Sequence, residues 1–234
     1  MVTSSPEPAS TSGPYTGSVS PGGDADVREL DALVITKVAV DGQMSNNCYL
    51  LRCTATGDQL LVDAADEAPR LLELVGSAGL TRVVTTHQHW DHHRALAEVV
   101  EATGAEVLVG APDAEETAKQ TGVTVDRRLV DGDEVTVGDV SLRVIHLVGH
   151  TPGSVALVYD DPSGHPHLFT GDSLFPGGPG KTWSAEDNAS LLDDLEAKVF
   201  GTLPDSTWFY PGHGDDSTLG AERPQLAEWR ERGW

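Results

Sequence analysis

The sequence predicts an α/β fold in which two β-sheets pack face to face and helices cover their outer sides. Three observations predict it. The 234 residues, 38% of them hydrophobic, suffice for one large shared core. Short β-rich runs fall into clusters in both halves of the chain, and helical patterns lie before, between and after those clusters. The pattern by itself also accommodates a single doubly wound sheet, so the choice falls to the motif residues considered below.

The first 25 residues, MVTSSPEPASTSGPYTGSVSPGGDA, are rich in Ser, Pro and Gly and have neither a basic start nor an apolar stretch. They are expected to form a disordered tail over 1–25, leaving one catalytic domain over 26–234. Leu33 to Val40, Asn47 to Cys53 and Gln59 to Asp63 are then β-rich runs separated by the turn clusters DGQMSN and TATGD, an antiparallel opening meander. Leu71, Leu72, Leu74 and Val75 give a helical stripe that stops near Gly76 and Gly79. Thr81 to Thr86 returns as a strand and runs straight into THQHWDHH.

A helix from about Arg94 to Thr103, a strand at Glu106 to Val109 and a helix around Asp113 to Gln120 follow. Strands come next at Val125 to Val130, Glu134 to Val137, Val140 to Leu147, Val155 to Tyr159 and His167 to Thr170, broken by turns such as DGD and DPSG. Leu191 to Phe200 reads as an amphipathic helix, Thr207 to Tyr210 as a last strand and Ala221 to Arg232 as a closing helix. Trp229 and Trp234 near the end are candidates for an interface.

Composition excludes several classes of partner. Fifteen Lys and Arg face 37 Asp and Glu, a formal charge of -22, so the surface must repel phosphate backbones and anionic lipid. Neither a nucleic-acid nor a membrane partner is expected, and no run of about 18 apolar residues occurs that would span a bilayer. Cys48 and Cys53 lie five residues apart in one strand, which puts them on opposite faces and makes a disulfide between them unfavourable. Free thiols without a disulfide framework point to a reducing cytoplasm.

The chemistry is carried by His87, His89, Asp91 and His92, four ligand-type side chains within six residues at the exit of a strand. Alternating positions let His87 and His89 project together, while Asp91 and His92, past the bend, turn to a neighbouring point. His150 in LVGHTPGS, Asp172 in FTGDSLF and His213 in YPGHG each follow another strand, with Gly and Pro to hold tight turns. Neutral imidazoles with carboxylates suit divalent metals, zinc first, with iron or manganese also compatible.

Through THQHWDH, GHTPGS, TGDSLF and YPGHG the chain resembles the metallo-β-lactamase superfamily, and within it the glyoxalase II branch, over about Val34 to Pro224. The resemblance implies an αβ/βα four-layer sandwich and two metal ions. His87, His89 and His150 would hold one, Asp91, His92 and His213 the other, and Asp172 would bridge both. It further implies hydrolysis of a thioester to an acid and a thiol, with a hydroxide shared between metals as nucleophile and Asp91 orienting it and accepting its proton.

A lactonase or β-lactamase-like hydrolase would use the same seven ligands. A mononuclear iron persulfide dioxygenase would need only a His, His, Asp set, available at His87, His150 and Asp172. The substrate is expected to be a small molecule. Lys181 and Trp183, in the Gly/Pro-rich loop after Asp172, and Trp90, between two ligands, are candidates for binding it. Only 21 residues follow His213, fewer than the helical region that carries glutathione-binding basic residues in glutathione-specific relatives. His93 is expected at the surface or as a helix cap, His165 and His167 in solvent, and His146 packed on its strand.

Overall fold

A computed structural model describes residues 14–233. The chain opens with β1 (Asp26–Glu29), β2 (Leu33–Val40), β3 (Asn46–Cys53) and β4 (Gln59–Val62), each antiparallel to the one before. Three helices then alternate with three strands: α1 (Ala68–Val75), β5 (Arg82–Thr85), α2 (Leu96–Thr103), β6 (Glu106–Gly110), α3 (Ala114–Thr121) and β7 (Arg127–Leu129). Each of these strands joins its predecessor in parallel, as helical crossovers require, to complete a seven-stranded sheet in sequence order.

The second sheet starts with β8 (Glu134–Val137), β9 (Val140–His146), β10 (Val155–Tyr159) and β11 (His167–Gly171), all antiparallel. A small hairpin of β12 (Leu174–Phe175) and β13 (Gly178–Pro179) interrupts the chain before α4 (Ala185–Asp194). That helix leads to β14 (Trp208–Pro211), parallel to β11, and β15 (Ser217–Thr218) closes the edge. α5 (Leu219–Glu222) and α6 (Leu226–Arg232) finish the chain. Among the described residues no helix is long and apolar enough to cross a membrane.

Three apolar clusters account for four layers. Leu33, Ile35, Leu51 and Leu60 of the first sheet meet Val144, Leu157, Phe169 and Tyr210 of the second between the sheets. Leu71, Val75, Leu96 and Val99 of α1 and α2 cover the outer face of the first sheet, against Leu50, Leu61, Val83 and Val107. Leu191, Leu192 and Trp229 cover the second, against Ala156, Val158 and Phe209. The strands that lie in the middle are therefore buried on both faces, which is why β10 reads VALVY with no polar alternation. Burying each large side chain is worth about 1.5–3 kcal/mol.

The layered sandwich is thus the fold, and two separate sheets exclude the doubly wound alternative. Cys48 faces the helix layer and Cys53 the space between the sheets, and both are free thiols. Several expectations are corrected. Residues 1–13 of the expected tail lie outside the described residues, but 14–25 pack on the body. Tyr15 donates to Asp216 at 2.6 Å and stands edge-on to Trp208 and Tyr210. The Gly17 carbonyl accepts from Lys37 Nζ at 2.7 Å.

α4 begins six residues before the apolar stripe, because Ser184 caps it by accepting from Asp187 N. The stripe itself continues into a wider π-helical segment, Leu195–Phe200. His167 is fully buried against Tyr159 and Tyr210 rather than solvated, and His93 is buried with Nε2 3.1 Å from the Gln88 carbonyl. Trp229 belongs to the core, 1% exposed, and is not an interface residue; Trp234 lies outside the described residues.

Candidate metal centre

All seven residues singled out from the sequence converge at one rim of the sandwich. His87, His89, Asp91 and His92 lie on the loop that leaves β5, where a short 3-10 turn at Trp90–His92 reverses the chain. His150 follows β9, Asp172 follows β11 and His213 follows β14. Backbone hydrogen bonds tie the loops from the two sheets together here, Val155 N donating to Thr86 O and Asn47 N to Gly212 O, while Gly212 N to Gly171 O joins two strand ends of the second sheet.

Ligand atoms fall into three overlapping groups, within each of which they all lie within 4.8 Å of one another: His87, His89 and His150; Asp91, His92 and His213; and His87, His92 and Asp172. Nε2 of His92 is 3.2 Å from Nε2 of His213 and 3.3 Å from Asp172 Oδ1. Asp172 Oδ2 stands 3.7 Å from His150 Nε2 and 3.5 Å from His213 Nε2. Asp172 therefore sits between the two outer groups.

The other ring nitrogens show which atoms face inward. His150 Nδ1 donates to the Lys181 carbonyl at 2.7 Å, and His213 Nδ1 to the Met44 carbonyl at 2.9 Å. His92 Nδ1 is 2.9 Å from Asp63 Oδ2. Thr86 Oγ1 donates to that same Asp63 oxygen, so it must accept from His87 Nδ1 at 3.1 Å. With Nδ1 carrying the proton, the rings of His87, His92, His150 and His213 all turn Nε2 to the centre, where it offers a lone pair once it carries no proton.

Burial pulls the imidazole pKa values of His87, His89 and His150 down, so these rings are neutral and ready to donate lone pairs. Burial also opposes charge on His92 and His213, but carboxylates outweigh it. Asp172 and Asp63 hold His92 well above its ordinary value, and Asp172 and Asp91 raise His213 to about 9. Against their own burial, Asp172 and Asp91 are held well below the usual carboxylate range by these histidines. The second group thus binds protons where a cation would serve equally.

A buried oxygen supports the fit to divalent cations. Asp172 Oδ1 is inaccessible and has no hydrogen-bond donor among the described residues, although buried carboxylate oxygens are normally satisfied. Close backbone approach makes the room: a Cβ on Gly212 would stand 2.2 Å from Asp172 Oδ1, and one on Gly180 1.6 Å from the Asp172 carbonyl. His and Asp in this arrangement are a donor set that could hold divalent metal ions.

The remaining candidates divide. Trp183, 65% exposed, stands edge-on to His89 with ring centroids 6.3 Å apart, and Lys181 Nζ lies 4.6 Å from the Trp183 centroid. Trp90 is also exposed, but its ring lies under the Arg94 guanidinium and lines a groove with His93, Ala97, Gln120 and Thr121. His146 stays out of the centre, with Nε2 2.8 Å from the Pro152 carbonyl.

Sequence reasoning missed the residues that orient these groups. Asn46 Nδ2 donates to Asp91 Oδ2 at 2.9 Å, and Asp63, at a left-handed φ of 58°, accepts from Thr86 N at 2.7 Å as well as holding His92. Asp113 accepts from Gln88 N at 2.9 Å. The one local signal was position: Asp63 closes a strand at the same rim.

Comparison with known proteins agrees with the geometry. The family model described as Metallo-beta-lactamase superfamily matches residues 41–213. The chain is 34% identical over 186 residues to the hydroxyacylglutathione hydrolase of Rhodospirillum rubrum, covering 79% of this chain and 67% of that one. The structure of ETHE1 from Myxococcus xanthus matches with a TM-score of 0.71 and 29% identity over 84% of each chain. A protein solved in a di-iron-bound form matches with a TM-score of 0.63 and 32% identity, over 80% of this chain and 96% of that one. The chain spans 67%, 57% and 66% of the lengths of the first three curated relatives it matches.

Proposed function

Since the chain belongs to the metallo-beta-lactamase superfamily, we propose that it is a hydrolase that holds two divalent metal ions, zinc in the first instance, and cleaves a small-molecule thioester. One observation carries the reading: Asp172 stands between two complete three-residue groups, His87/His89/His150 and Asp91/His92/His213. Metals held there would supply a nucleophilic water at neutral pH and polarise the carbonyl of the substrate.

The protein's own residues do the rest. Asp91 Oδ2, held by Asn46 Nδ2, is placed to orient a water and take up its proton. The carbonyls of Lys181 and Met44 and the carboxylate of Asp63 fix the rings, so no reorganisation is needed as charge develops. A thiolate leaves without much protonation, so a site without a dedicated proton donor suits a thioester. At the rim, Trp183 offers a face to an acyl or thiol group and Lys181 a cation to a carboxylate. Trp90, turned under Arg94, would contribute from the neighbouring groove.

One observation favours a second reading. Nε2 of His87 and His150 lie 3.2 Å apart with Asp172 Oδ2 3.7 Å from the latter, a set sufficient for the single iron of a persulfide dioxygenase. Elemental analysis of the purified protein, run beside turnover of S-lactoylglutathione, other S-acyl thiols, a lactone and a chromogenic β-lactam, decides between them. Two metals per chain with thioester turnover is the expected result. A lactone or β-lactam preference would move the substrate class, and one iron with oxygen uptake on a thiol persulfide would replace hydrolysis altogether.

A further inference from the structure

Asp113 is a fully buried carboxylate that the hydrolytic chemistry does not use. It stands at the start of the helix expected from the sequence, but its side chain makes no capping hydrogen bond to α3 and its backbone is already helical, at φ -90° and ψ -12°. Its bonds run elsewhere. Oδ2 accepts from the backbone N–H of Gln88 at 2.9 Å and from Thr151 Oγ1 at 2.6 Å. Thr151, having donated that proton, accepts from Ser154 Oγ at 2.6 Å.

Those two donors sit beside the three-histidine group. Gln88 separates His87 from His89 on the loop of the first sheet, whereas Thr151 follows His150 on a loop of the second. The backbones are pressed together at the same place. A Cβ on Gly110 would come within 1.9 Å of the Gly153 carbonyl, and one on Gly153 within 2.6 Å of Asp113 Oδ1. His87 and His150 have their rings fixed through Nδ1, but no hydrogen bond to the His89 ring occurs among the described residues. The position of His89 then depends on its backbone, which Gln88 N and Asp113 hold. Isolating a carboxylate from water costs several kcal/mol unless its hydrogen bonds compensate, so the group is kept for what it joins.

We propose that Asp113 is a positioning residue that clasps the two loops supplying His87, His89 and His150, and thereby sets the affinity of that metal position and not of the one formed by Asp91, His92 and His213. This rests on the two-metal reading. The test is cobalt(II) titration, followed by its visible absorption, in two backgrounds. His213→Ala preserves the three-histidine group, and His89→Ala preserves the other.

Adding Asp113→Ala should weaken cobalt binding about 10–100-fold in the first background, the usual effect of losing a residue that orients ligands, and leave the second unchanged. Asp113→Asn keeps an acceptor for Gln88 N and should restore most of the affinity. Thr151→Val removes one arm of the clasp and serves where Asp113→Ala does not fold, as judged by the thermal melt of the metal-free protein. Equal weakening in both backgrounds, or none in the first, overturns the clasp. Failure of both parent backgrounds to bind cobalt overturns the metal reading itself and the clasp with it.

Discussion

The Nε2 atoms of His87 and His150 lie 3.2 Å apart, although one residue leaves the first sheet and the other the second. Two lone pairs at that separation repel unless a cation or a proton lies between them. The centre is therefore a junction whose halves are brought to contact by the packing of the sheets.

Asp172 faces both halves of that junction. Asp172→Ala should lower metal content and cut hydrolysis by about 10³-fold, since charge stabilisation worth several kcal/mol is lost. Elemental analysis and kcat/KM measured on the same preparation check it. Two metals retained with undiminished turnover would refute the bridging position.

Gly212→Ala should be nearly as damaging without touching a ligand. The new Cβ would meet Asp172 Oδ1 at 2.2 Å and His92 Cε1 at 2.7 Å, so one of them must move. A misplacement of about 1 Å costs about 10²-fold in rate. Comparable activity in variant and parent would show that the loop yields instead.

Lys37 and Asp216 form a buried ion pair at 2.6 Å, with Lys37 Nζ also donating to Gly214 O at 2.8 Å just past His213. Burial drags the Lys37 ammonium pKa down and pushes the Asp216 carboxyl up, and the pair only partly offsets this. Lys37→Met strands a buried carboxylate and should cost about 3–5 kcal/mol in denaturant unfolding. A loss below about 1 kcal/mol, the scale of an exposed pair, would show that the site admits water.

His167 carries a pH dependence of stability. Burial, reinforced by His165 and Arg28, pushes its imidazole down to about 3. The unfolded chain takes up that proton near the ordinary value of about 6.5, the folded one only near 3. The stabilisation is therefore full above about pH 6.5 and is lost as pH falls towards 3, roughly 3 kcal/mol by pH 4. In metal-free protein, His167→Gln should shrink the stability difference between pH 7 and pH 4 by that order. An unchanged difference would assign the acid sensitivity to other groups.

Much of this architecture was legible because its strands are buried on both faces. β2 and β10 coincide with apolar runs that end at turn residues and β8 with an alternating one, and the seven clustered residues sit where β5, β9, β11 and β14 stop. What was not legible depends on partners distant in sequence. β1, with the sequence DVRE, has no apolar alternation and exists because β2 pairs with it. Asp63, Asn46 and Asp113 look like an ordinary strand end, turn residue and helix start until the loops they bind are brought beside them. Tyr15 is hidden in a Ser/Pro/Gly-rich stretch whose composition says nothing of one aromatic docking on Trp208.

That docking bears on how the protein can be cut and rebuilt. A shortened chain begun at residue 26, the boundary its composition invites, would discard the Gly17 carbonyl that receives Lys37 and the phenol that covers Asp216. The loop behind His213 would then open to water on one side. Fusions, affinity handles and protease sites belong ahead of Tyr15, and a trimmed version that loses activity should be suspected of a damaged wall before a damaged ligand.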